Sequence, residues 1–189
     1  RIDLPTDSIG TGTVTICAWF NTSVLNSFRY IVSNARFGFG IYTGNNTLHL
    51  TSNTNAGNGL IATPNILSVN TWYHTCGVRN SGTNGPATIY LNGVSVASGV
   101  SETPTTGFGL AIGDDQFTEF QWNGNLDDVR IYNRALSESW ITTQYNNDIN
   151  ASSTFFAFGA ETAGSAATVP SRRRSIIISY SPELAKIYG

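Results

Sequence analysis

The side chains able to do chemistry are few. Asp127-Asp128 offers two carboxylates, the pair that general acid–base work on a glycoside would need. Adjacent side chains on a strand leave on opposite faces, so these two are not expected to share one reacting centre. His49 and His74 are the groups that titrate nearest neutrality. Neither is spaced with a Ser or Cys as a nucleophile and its base would be. His74 shares a strand face with Cys76, two positions on, and is read as a structural histidine near the core layer. His49, in Leu48-His49-Leu50, faces away from its apolar neighbours and is read as exposed. Asp114-Asp115 is an acidic turn, either simply solvated or part of a calcium shell, which takes six to eight oxygens. Phe117, Phe120 and Trp122 could stack on sugar rings or pack the edge of a core. Cys17 and Cys76 lie in strand-like runs and form either a bridge or two buried thiols. No Cys/His cluster has zinc-ligand spacing along the chain, so no structural metal is expected.

The elements that must position these groups read as strands. Short alternating runs rich in β-branched and aromatic residues recur at Val14–Phe20, Arg29–Ser33, Phe37–Tyr42, Thr47–Thr51, Trp72–Val78, Ala87–Leu91, Val94–Ala97, Gly109–Ile112, Leu126–Tyr132 and Thr154–Phe158. Between Leu91 and Val94, Asn92-Gly93 supplies the positive φ angles of a two-residue type I′ hairpin turn. Ser137 is a good N-cap, and Trp140, Ile141 and Tyr145 fall on one helical face, which predicts one short helix near residues 138–146. The expected fold is an all-β, two-sheet antiparallel jelly-roll sandwich with that single helix.

Composition agrees. Only 12% of the 189 residues are charged, well below the usual quarter, while Gly, Asn, Thr and Ser are abundant. A formal charge of −2 and a single lysine, Lys186, argue against a nucleic-acid partner. No apolar run is long enough to insert in a membrane. The absence of any methionine, even at position 1, reads as a mature or excised fragment. Asn-x-Ser/Thr acceptors at Asn21, Asn45 and Asn150 arise easily in so Asn-rich a chain. After Glu161 the character changes: a small-residue linker precedes the charge block Arg172-Arg173-Arg174, read as a solvated run, and the β-prone stretch Ser175–Tyr180. The organisation is therefore a sandwich over residues 1–161 and a tail over 162–189. That tail is expected to pair with a sheet edge, its own or that of another copy in a homo-oligomer.

Several segments resemble a known family in order along the chain. They are Trp72-Tyr73-His74, Thr88-Ile89-Tyr90-Leu91-Asn92-Gly93, Ile112-Gly113 and Gly124-Asn125-Leu126-Asp127-Asp128-Val129-Arg130-Ile131-Tyr132 with its continuation to Ser137. Together they resemble the laminin-G-like, pentraxin-like branch of the concanavalin A-like lectin and glucanase superfamily, over roughly residues 2–160. The resemblance implies a Cys17–Cys76 disulfide and a structural role for Asp127-Asp128, tying a turn to the sheet. It places calcium at Asp114 and Asp115 with Asn34 from a neighbouring loop, where Arg36 has the wrong charge for a ligand. It also implies a first strand running into Arg1–Pro5, here cut at its start or absent, and a closing strand at Thr154–Glu161. The Glu-x-Asp-x-x-Glu signature of the related glucanases is missing, which argues against an enzyme. The expectation is a non-catalytic recognition or adhesion module, extracellular or at a cell or virion surface, with a glycan or cell-surface protein as partner. The alternative is a structural subunit of a surface filament, viral fibre or decoration protein.

Overall fold

The computed structural model describes residues 2–5, 12–34, 37–42, 46–52, 60–82, 84–101, 109–114 and 120–149, without the side chains of residues 42, 52 and 60. Eleven strands and one helix follow in order: β1 Ile2–Leu4, β2 Val14–Thr22, β3 Arg29–Asn34, β4 Phe37–Tyr42, β5 Thr47–Ser52, β6 Leu60–Ala62, β7 Tyr73–Arg79, β8 Gly85–Leu91, β9 Val94–Ser101, β10 Leu110–Ile112, β11 Gly124–Tyr132 and α1 Glu138–Ile149. One sheet runs β1-β10-β3-β4-β5-β6 and the other β11-β2-β7-β8-β9, all pairs antiparallel.

Period-two alternation sends one set of side chains between the sheets. Phe37, Phe39 and Ile41 of β4 and Leu48 and Leu50 of β5 meet Ile16, Ala18 and Phe20 of β2 and Ile89 of β8 in one core. Arg79 is buried at one end of that core, its guanidinium over the Phe37 ring and donating to the Gly12 carbonyl. β2 is buried on both faces, because α1 lies over its outer side. There Cys17, Cys76, Val78, Tyr90, Leu136 and Ile141 form a second, smaller core.

Local signals hold where the chemistry is local. Asn92 and Gly93 take positive φ, 51° and 79°, and turn β8 into β9 with Leu91 opposite Val94. The Ser137 hydroxyl accepts the Trp140 N–H at 3.3 Å, so the cap is made. The helix runs three residues past the expected 146, to Ile149; Asp148 in that added turn accepts from Trp19 Nε1 at 3.1 Å. Trp140 is not on the buried face. Ile141 and Gln144 are, while Trp140 is 53% exposed with Arg134 stacked over its ring.

Three further expectations are corrected. The first strand is not absent: Ile2–Leu4 pairs with β10 at the sheet edge. β6 was not foreseen, because a three-residue edge strand is too short to show alternation. Asp127-Asp128 does not follow plain alternation, since β11 carries a bulge there and Asp128 has φ 50°. Both carboxylates are used in bonds within β11. Asp127 Oδ1 accepts the Asp128 N–H at 2.9 Å, and Asp128 is ion-paired with Arg130. The proposed closing strand from Thr154, the boundary at 161, the tail with Arg172–Arg174, Asn45 and Asn150 lie outside the described residues. Among the described residues no helix is long and apolar enough to cross a membrane.

Candidate functional site

The outer face of the six-stranded sheet carries the most distinctive group of side chains. On β4, large residues point inward at Phe37, Phe39 and Ile41, and glycines point outward at Gly38 and Gly40. That bare strip has a use. A Cβ on Gly38 would overlap the ring of Tyr30, which lies across it from β3. A Cβ on Gly40 would overlap the backbone of Arg29 and Tyr30, where β3 bulges. The floor cleared by these glycines holds Tyr30 beside His49 of β5, the ring centroids 5.6 Å apart and edge-on. Phe28, just before β3, meets His49 at 5.7 Å and Phe120 at 5.5 Å. Phe120 closes the group at 6.0 Å from Tyr30, and its carbonyl accepts the Tyr30 N–H at 3.3 Å.

His49 is thus not exposed. It does face away from Leu48 and Leu50, but it is fully buried, with the rings of Phe28 and Tyr30 packed edge-on against it. Burial lowers its pKa to about 3, so the ring is neutral at physiological pH. Phe28, Tyr30 and Phe120 are themselves half-buried, which leaves an aromatic surface beside an uncharged base.

The other expected ligand residues are placed differently. Trp122 turns into the sandwich edge, its ring on Phe20 at 5.5 Å and its indole N–H donated to the Asn21 carbonyl at 3.3 Å. Phe117 and Asp115 lie outside the described residues. Asp114 is 1% exposed, and its backbone carbonyl accepts the Ser33 hydroxyl at 2.8 Å. Asn34 ends β3 opposite Phe37. Sequence reasoning missed Phe28 and Tyr30. The signal that could have found them is Phe37-Gly38-Phe39-Gly40, whose outward glycines demand a cover from elsewhere.

A second feature lies at one end of the sandwich. An open cleft of about 570 Å³ is lined by Ser23, Val24, Leu25, Asn26, Asn46, Leu67, Ser68 and Val69. Its walls are stapled by backbone bonds, Leu67 N–H to the Asn46 carbonyl and Asn70 N–H to the Thr22 carbonyl. The lining is uncharged, with amides and hydroxyls interleaved with aliphatic groups.

His74 and the cysteines sit on the opposite side, beneath α1. Cys17 and Cys76 are disulfide-bonded across β2 and β7. His74 is buried there between Trp19, at 5.4 Å, and Tyr145, at 5.9 Å, rather than in the core between the sheets.

The family model described as the concanavalin A-like lectin/glucanases superfamily matches residues 1–142. No curated protein matches the chain. Solved structures that are similar include the native heptameric SAP-like pentraxin of Limulus polyphemus, with 22% identity, TM-score 0.55, 76% of this chain and 72% of that one. The CBM40 of the Ruminococcus gnavus IT-sialidase gives 14% identity and TM-score 0.60, over 72% of this chain and 84% of that one. Domain 4 of AbnA, an extracellular arabinanase from Geobacillus stearothermophilus solved with arabinotriose, gives 21% and 0.51, over 75% and 70%.

Proposed function

The chain belongs to the concanavalin A-like lectin/glucanases superfamily, and we propose that it is a non-catalytic carbohydrate-recognition module that works outside the cell. The observation that carries the reading is the half-buried Phe28–Tyr30–Phe120 surface beside neutral His49. Aromatic faces and edges take the C–H surfaces of sugar rings without needing charge on either side. Sugar-related neighbours of the same fold, the CBM40 and the arabinotriose-bound domain, support it. The non-catalytic part is supported by what the carboxylates do. Asp127 holds a backbone N–H, Asp128 pairs with Arg130, and Asp148 accepts from Trp19. The extracellular part is supported by the Cys17–Cys76 bridge, since disulfides persist in oxidising surroundings.

A glycan array followed by calorimetry tests the site. Phe120→Ala should weaken the best ligand about tenfold, the loss of roughly 1–2 kcal/mol typical of an interface anchor. Asn26→Ala, in the end cleft, should bind like the parent. The opposite pattern would move the ligand to the cleft, and an array with no ligand would remove the carbohydrate reading.

A calcium ion at Asp114, Asp115 and Asn34 belongs to the same proposal. A carboxylate as buried as Asp114 suits a cation, because an ionised group out of water needs a counter-charge or several donors. Millimolar calcium, against chelator, should then add about 1 kcal/mol of stability at a Kd of about 10⁻⁴ M, read as a melting temperature a few degrees higher. Identical melting curves would remove calcium from the proposal.

A further inference from the structure

Beneath α1, tertiary structure assembles what the linear spacing does not show. Cys17 Sγ, Cys76 Sγ and a ring nitrogen of His74 all lie within 4.8 Å of one another, and all three residues are buried. Cys17 faces Cys76 directly across the β2–β7 ladder, and His74 stands two residues before Cys76 on the same face. His74 Nε2 is 3.9 Å from Cys76 Sγ. We propose that the reduced chain binds a zinc-class divalent cation through Cys17 Sγ, Cys76 Sγ and His74 Nε2, so that bridge and metal site are alternative states of the same three residues.

The geometry suits that ion. Zinc bonds of about 2.3 Å to sulfur and 2.0–2.1 Å to nitrogen put tetrahedral ligands about 3.5–3.8 Å apart. The His74–Cys76 separation is already close to this, and cutting the bridge lets the two sulfurs part along neighbouring strands. The histidine faces the bridge. Its ring is 1% exposed, Nδ1 has no hydrogen-bond partner, and Nε2 points at the sulfur and at the Gln144 amide, 3.4 Å away. Gln144 flanks the group, its amide nitrogen on His74 Nε2 and its oxygen accepting from the Tyr132 hydroxyl at 3.4 Å.

The chemistry balances with a dithiol as reductant. The dithiol gives two electrons and two protons to the Cys17–Cys76 bond and closes to its own disulfide, leaving two thiols. The cation then displaces both thiol protons to solvent and takes the His74 lone pair. Two thiolates and a divalent ion sum to zero charge, so no net ion is buried.

The test uses the whole chain, reduced with a dithiol and freed of it under argon. Cobalt(II) should bind one equivalent, with a thiolate-to-cobalt charge-transfer band and the visible bands of a tetrahedral site, and zinc should displace it. Zinc should also shield both thiols from alkylation. His74→Phe, which keeps both thiols, should weaken cobalt binding by about tenfold or more, an effect at least as large as losing an outer-shell partner. Cys17→Ser should abolish the charge-transfer band. Should the reduced chain lose its cooperative melt, zinc must restore it; failure to do so overturns the proposal. So do the same bands from the oxidised protein, or His74→Phe binding cobalt like the parent.

Discussion

At pH 4.5 the folded state should be about 5 kcal/mol less stable than at pH 8 through two histidines alone. His49 and His74 each start from an ordinary value of 6.5 in the unfolded chain. Burial lowers His49 to about 3. It lowers His74 to about 4, helped by the Arg130 charge and opposed by Asp128. The unfolded chain therefore binds more protons than the folded one between these values. Stability from the neutral rings is fully present above pH 6.5 and is lost as the pH falls towards 3–4. At pH 4.5 each histidine contributes roughly 2.5 kcal/mol of that loss, at about 1.4 kcal/mol per pH unit. Urea unfolding across this range measures the total, and His49→Phe isolates one half of it. Phenylalanine suits the pocket of Phe28, Tyr30 and Phe120, so the variant should fold and its acid loss should shrink by about 2.5 kcal/mol. Parallel stability–pH curves for parent and variant would mean that water reaches His49 and that the aromatic cover is not closed.

Removing the disulfide should have the next largest effect. The bridge spans 59 positions, and freeing a loop of that length stabilises the unfolded chain by about 4 kcal/mol in the chain-entropy model. For a domain of this size that amounts to about 10 °C in melting temperature. The paired variant Cys17→Ala/Cys76→Ala should show it, and the unreduced parent should weigh two hydrogens less than its dithiol form. Loss of the bridge also empties part of the small core under α1, where Ile141 and Leu136 pack on the cysteines. Helical circular dichroism should therefore decline before the sheet signal does. A melting temperature within about 2 °C of the parent would sink the prediction, because no long loop would then be under constraint.

The two proposed sites differ in how far they could be read from residues. Phe120 stood out as an aromatic in a loop, but its partners did not. Phe28 and Tyr30 meet it only because β3 and the segment before β11 arrive at the same sheet face. Trp122, two positions from Phe120, looked equivalent to it and packs on Phe20 in the opposite direction. For the metal-ligand set, His74 and Cys76 were visible on one strand face, whereas Cys17 joins them through β2–β7 pairing.

Short-range chemistry is what the sequence determined by itself. Alternation of apolar residues marked nine of the eleven strands among the described residues, because each needs only its own pleat to be recognised. Asn92-Gly93 dictated its hairpin, and Ser137 its helix start, since both act on backbone groups within three residues. Tertiary structure alone decided which faces are covered. Period two says that His49 points away from Leu48, but not whether that side meets water. The answer depends on Phe28 and on Tyr30, whose ring lies over Gly38 of β4. Likewise the outer side of β2 is dry only because α1 returns across it, with Tyr145 on Trp19 and Thr142 donating to the Gly93 carbonyl at 2.7 Å. Burial is set by what other parts of the chain bring to a face, and a pattern of neighbours in sequence carries no record of that.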